Sequence, residues 1–146
     1  MNNNDEQFFK EKAANNMVCF NDTCPKATLC LRRHIASYVP TDQLSIKCVN
    51  PANHKITKGE CPVFISKEKV KMAVGMMHLL DRVPYDTASY IKRNLIAELT
   101  RKRFYAYRKG AEPIPPKVRQ RIAEVFLENG CSQTPQFDSF TEEYEW

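Results

Sequence analysis

The stretch CFNDTCPKATLCLRRHI, residues 19 to 35, sets Cys19, Cys24, Cys30 and His34 within sixteen positions of a 146-residue chain that has six cysteines. This spacing constrains the fold more than any other feature, because closely gathered ligands can staple a segment too short to bury a core of its own. Thiolate sulfurs and one imidazole nitrogen complete a tetrahedral zinc shell. Pro25 can start a helix over KATLCLRRHIASYV, on which Cys30 and His34 stand one turn apart on the same face. Cys61 competes with His34 for the fourth position. It opens CPVF after a Lys-Gly-Glu turn, and a Cys-Pro pair at both 24 and 61 gives rigid loops, since proline restrains φ and lacks an N–H. Four thiolates from Cys19, Cys24, Cys30 and Cys61 suit zinc and equally an iron–sulfur cluster. The expected cofactor is zinc, with an iron–sulfur cluster as the alternative, and ordinary buried thiols are the bland reading.

Compartment decides what cysteines are for. The opening segment MNNNDEQFFKEKAANN has no apolar core of signal-peptide length, and no later segment reaches the ~20 apolar residues that span a bilayer. A cytoplasmic protein with no membrane partner is expected, and in a reducing cytosol clustered thiols hold metals more often than they pair. Residues 1–16, rich in Asn, read as a flexible end. With 42% hydrophobic and 27% charged residues, the chain can bury one ordinary core or two small ones and is not a disordered tail. Neither a phosphate-cradling Gly-rich loop nor a Gly-x-Ser-x-Gly elbow occurs, and no carboxylate pair lies beside a histidine, so no enzyme is expected.

Charge is uneven along the chain. The window from Lys92 to Arg121 carries +8, everything outside it sums to −3, and DSFTEEYEW at 138–146 has four acids and no base. A polyanion is the partner this block suggests, with a protein partner also open and the acidic segment able to compete for the block. Periodicity places the block on helices. Ser66 can cap a helix through KEKVKMAVGMMHLL with Val70, Ala73, Val74 and Met77 as its stripe. Asp86 caps TASYIKRNLIAEL, with Ile91, Leu95 and Leu99 on one side. Thr100 caps RKRFYAYRK, which stops at Gly110, and Pro116 opens PKVRQRIAEVFLEN, closed by Gly130. With Phe104 and Tyr107 inward, Arg101, Lys102, Arg103, Tyr105 and Arg108 face outward, as in the reading helix of helix-turn-helix proteins. Lys117 and Arg119 are candidate phosphate contacts. Cys48, in alternating LSIKCVNP, reads as the inward residue of a short strand.

LTRKRFYAYRKGAEPIPPKVRQRIAEVF resembles the second half of a repressor-like helix-turn-helix, although the family's small residue falls on Asn94 and its turn glycine on Glu98. The resemblance covers about residues 86 to 129 and implies DNA binding, ahead of RNA, by Thr100 to Arg108. The whole chain also resembles a set of small uncharacterised bacterial proteins through CPKATLCLR from Cys24, CPVF from Cys61, YAYRKGAEPI from Tyr105 and FDSFTEEYEW from Phe137. This second resemblance favours Cys61 over His34 as the fourth ligand and implies a shared architecture without an activity.

The expected architecture is therefore mainly α. Residues 17–65 form a small Cys-rich, metal-stapled module with a two-strand element around LSIKC and PVFIS. Residues 66–130 form a four-helix core with a helix-turn-helix-like pair, and 131–146 an acidic aromatic segment docking through Phe137, Phe140 and Tyr144. The expected function is a metal- or cluster-containing nucleic-acid-binding protein, a DNA-binding transcriptional regulator, with a protein-interaction or redox-sensing module as the alternative.

Overall fold

The computed structural model describes residues 2–146, which divide into two compact units: residues up to Glu68 together with Trp146, and Lys69–Glu145. The chain is largely helical, with one two-stranded sheet. No helix among the described residues is long and apolar enough to cross a membrane.

In the first unit, residues whose composition suggests a flexible end form helix α1, Asn3–Asn15. Asp5 and Glu6 in its first turn and Lys12 in its last complement the helix dipole, and Glu6 pairs with Lys10 one turn on at 2.6 Å. Phe9 and Ala13, one turn apart, are its buried residues. The expected long helix after Pro25 is broken. A short 3-10 turn at Ala27–Leu29 precedes an extended Cys30, then helix α2, Leu31–Ile35, and a second 3-10 turn, Ala36–Tyr38. The break lets Cys30 bridge to Ser66, with Leu31 N–H donating to Ile65 O at 2.7 Å and Lys67 N–H to Leu29 O at 2.8 Å. No hairpin forms between LSIKC and PVFIS. Val18 instead bridges Cys48, and Cys48 is exposed rather than inward. A four-residue helix α3, His54–Thr57, opened by the Asn53 side chain accepting from Lys55 N–H, completes this unit.

The second unit departs from expectation at its start. Lys69–Val74 is strand β1, not a helix, and it pairs antiparallel with β2, Ser139–Tyr144, in a register running from Lys69 opposite Tyr144 to Val74 opposite Ser139. Ser66 accepts from Glu68 N–H at 3.2 Å in a local turn and opens no helix. Gly75, at φ +80°, ends the strand, and a Cβ there would stand 2.5 Å from Asp138 Oδ2. The same carboxylate oxygen accepts from Met77 N–H at 3.1 Å. Six residues of Lys-Val-Lys-Met-Ala-Val fit a helix stripe and a strand alternation alike, and the strand partner lies some seventy residues away, where periodicity cannot see it. The acids Glu142 and Glu143 thus sit on β2, opposite Lys71 and Val70.

Three helices complete this unit: α4, Tyr85–Leu99; α5, Arg101–Arg108; and α6, Pro116–Glu128 with proline in its first turn. Their inward residues Ile91, Leu95, Phe104, Tyr107, Ile122, Val125 and Phe126 form one core with Ala73 of β1, Met76 and Ile114. Ile114 is tied to Ala73 by reciprocal backbone bonds of 2.7 and 3.0 Å. The core is therefore three helices against a strand, not four helices.

Candidate functional site

The first candidate site is built from loop residues of the first unit. Cys19, Cys24, Cys30 and Cys61 line one pocket, together with Asn21, Arg32, Arg33, Val49, Ile56 and Phe64. Cys30 is buried and the other three thiols are partly exposed; all six cysteines are free thiols. Burial pushes the Cys19 thiol up, Asn21 N–H on its sulfur at 3.5 Å pulls it down, and Cys30, Cys24 and Cys61 push it up again by like-charge repulsion. Cys19 thus feels the other three thiols, although no group of three or more His, Cys, Asp or Glu among the described residues is arranged to hold an ion as it stands.

His34 is placed differently. It lies one turn from Cys30, with its backbone N–H donating to Cys30 O at 3.0 Å, but the residue lines a separate polar cleft with Asp22, Thr28, Arg33, Ser37 and Lys67. The imidazole stacks edge-on against Phe9 at 4.6 Å, and its Nε2 is buried without a partner. Burial first, and then Lys67, hold its pKa below the ordinary histidine range. Of the five candidate ligands the structure gathers the four cysteines and sets the histidine apart.

The second candidate site lies on α4 and α5. Arg101, Lys102 and Arg103 are exposed on the first turn of α5, and Lys92 and Arg93 on α4; none has a carboxylate partner among the described residues. Arg93 lies 5.3 Å from the ring of Tyr90, itself 55% exposed. Tyr105 is half-buried against the core, flanked by Lys92 at 5.7 Å and Arg101 at 5.5 Å. These distances fit cation–π pairs, of which Lys92–Tyr105 spans α4 and α5. Thr100 alone joins α4 to α5, at φ 74° and ψ 152°, and its side chain accepts from Arg103 N–H at 3.4 Å. This connection is shorter than the three- or four-residue turn of helix-turn-helix readers.

The other candidate contacts are spread out. Arg108 is half-buried, while Lys117 is exposed on α6. Arg119 is engaged within its unit, with Nη2–H donating to Lys71 O at 2.8 Å and its guanidinium 5.5 Å from the Phe140 ring. Arg121 donates to Glu98, Glu124 and Glu128 and is neutralised there. Sequence reasoning missed Arg32, which clasps the thiol loops, and the Tyr90–Arg93 pair. A tyrosine and an arginine three apart on an exposed helix face carry a signal; nothing in the sequence marks Arg32 apart from Arg33.

No curated protein and no solved structure matches the chain. A family model described as a family of unknown function, DUF6078, matches residues 1–146, and the chain belongs to that family.

Proposed function

We propose that the second unit binds nucleic acid, duplex DNA ahead of RNA, through the cationic face of α4 and α5. The observation that carries this reading is the set of five exposed cations without carboxylate partners among the described residues, Lys92, Arg93, Arg101, Lys102 and Arg103, three of which, Lys92, Arg93 and Arg101, lie against Tyr90 or Tyr105. Cations without carboxylate partners release counterions on meeting phosphates, and the side chains of Lys92, Arg93 and Arg101 rest on tyrosine rings that limit their freedom. An eight-residue helix fits the DNA major groove, whereas the narrow major groove of A-form RNA excludes it. The role this supports is that of a cytoplasmic regulator acting on DNA. Anisotropy titrations of labelled DNA and RNA duplexes over a salt series test it. Arg101→Ala, Lys102→Ala and Arg103→Ala together should weaken binding and flatten the salt dependence by about 0.9 in log–log slope for each phosphate no longer neutralised. Equal affinity and slope for the triple variant would remove the reading.

A second reading rests on the first unit. Four thiols converging on one pocket support a zinc site or, alternatively, an iron–sulfur cluster, which would staple a unit of short segments and could respond to oxidation. Metal, iron and sulfide analysis of anaerobically purified protein tests it, and protein with neither sinks it.

A further inference from the structure

Arg32 touches every segment that brings a thiol to the pocket except the Cys24 loop. Its Nε–H donates to Val63 O at 2.8 Å, two residues past Cys61, and its Nη1–H donates to Met17 O at 2.8 Å, two residues before Cys19. Its own carbonyl accepts from Cys19 N–H at 3.1 Å, and Cys30 is two residues behind it in the chain. The side chain lines the thiol pocket, and its guanidinium lies 5.0 Å from the ring of Trp146, which Lys12 faces at 5.6 Å. One planar fork thus fixes the loops before Cys19 and after Cys61, a geometry that lysine cannot reproduce.

Cys19, Cys24, Cys30 and Cys61 all line one pocket. One zinc-type ion in a tetrahedral shell of four thiolates is the simplest closed site for four sulfurs brought to one pocket. Four thiolates around a divalent ion leave a net charge of −2. Arg32 has no carboxylate partner among the described residues and offsets part of that charge, whereas Arg33, the other cation on the pocket, is paired with Asp22.

We propose that Cys19, Cys24, Cys30 and Cys61 take a single zinc-type divalent ion, and that Arg32 is a positioning residue whose clasp carries the ion's arrival to Trp146. This rests on the metal reading given above and selects one ion over a cluster. On ligation each thiol gives its proton to solvent, and no electron is transferred.

The chain has one tryptophan, Trp146, so tryptophan emission reports on surroundings that include Arg32 and Lys12. Zinc, and cobalt as its coloured stand-in, titrated into reduced, chelator-treated full-length chain should bind one equivalent. Thiolate-to-cobalt absorbance and Trp146 emission should saturate together. Arg32→Lys should lower ion affinity about tenfold or more, in the range seen when groups that orient ligands are changed, and should abolish the emission change. Its metal-free amide exchange, matched to that of the unaltered chain, controls for folding. Ion uptake without an emission change, or an Arg32→Lys variant that behaves as the unaltered chain does, overturns the role of Arg32 and leaves the metal reading in place. Several irons and sulfides per chain after anaerobic reconstitution, with no one-to-one zinc complex, overturns the single ion alone. Uptake of neither overturns the metal reading and this inference with it.

Discussion

The two units solve the same problem by different means. The second buries its apolar residues on helices of eight to fifteen residues, and its core cluster unites β1 and all three helices. In the first, α2 has five residues and α3 four, pairing is reduced to isolated bridges, and the buried apolar set is Phe9, Ala13, Val18, Cys30, Leu31, Ile35, Ala36 and Val49. At about 25 cal/mol per Å² of apolar surface, so few side chains offset little of the ordering entropy of nearly seventy residues. Regular structure is thus sparse where the thiols gather, and abundant where the cations are displayed.

The largest expected effect breaks the comparison at the first unit. On the metal reading, Cys30→Ser combined with Cys61→Ser, or chelation of the unaltered chain, should lower amide protection in residues 17–65 without abolishing it and spare α4 to α6. Apparent zinc binding energies in comparable thiolate sites are about 10 kcal/mol or more. Unchanged protection in the double variant would show that burial alone suffices. The converse test is Phe126→Ala, at a side chain 1% exposed in the second core. It should cost about 3–5 kcal/mol and lower the denaturation midpoint of the helices. On the metal reading, zinc uptake by the first unit should not change.

Much of the second unit was legible because its signals are local. Thr100 and Gly110 bracket α5, Pro116 opens α6, and Phe104 and Tyr107 face inward as their spacing predicts. The first unit was legible only in its chemistry. The thiols of Cys19, Cys24, Cys30 and Cys61 fall on one pocket, yet the chain path between them follows from non-local bonds such as Leu31 to Ile65 and Arg32 to Val63. The same limitation hid β1, whose partner Ser139–Tyr144 shows a helix-like Phe137, Phe140, Tyr144 spacing but forms a strand. Composition misread α1 for a related reason, since its Asn-rich start conceals the buried pair Phe9 and Ala13.

A smaller effect is expected at Thr100, where the cationic helix begins. Its φ of 74° and ψ of 152° fall in a region that essentially only glycine occupies without strain. Such strain costs about 1–3 kcal/mol, while replacing a capping threonine by glycine costs only a few tenths. Thr100→Gly should therefore raise stability by about 1 kcal/mol, and Thr100→Ala, which keeps the strain and loses the cap, should lower it by about 1 kcal/mol. Thermal melts of the two variants decide the sign. If Thr100→Gly also weakens DNA binding, the strained joint holds α5 in its binding pose.

The smallest effect concerns the one cation in the basic window that is fully matched by acids. Arg121 on α6 donates to Glu98 of α4 at 2.6 and 2.8 Å and to Glu128 and Glu124 on its own helix. The hydrogen bond from Arg121 holds the Glu98 carboxyl below the usual carboxylate range against an opposing push from burial. A carboxylate depressed in the folded state stabilises above its unfolded pKa and loses that contribution as pH falls through its folded value. Because the groups are solvent-exposed, the loss should be slight and should fade in salt. Arg121→Gln should flatten the acid limb of the second unit's stability profile at low salt and leave the first unit's unchanged. It also frees Glu98 two residues before Thr100, where an unneutralised carboxylate repels phosphate. DNA affinity should therefore drop modestly although the substituted side chain itself meets no phosphate, and restoring it by Glu98→Gln in the same chain would trace the loss to that one charge.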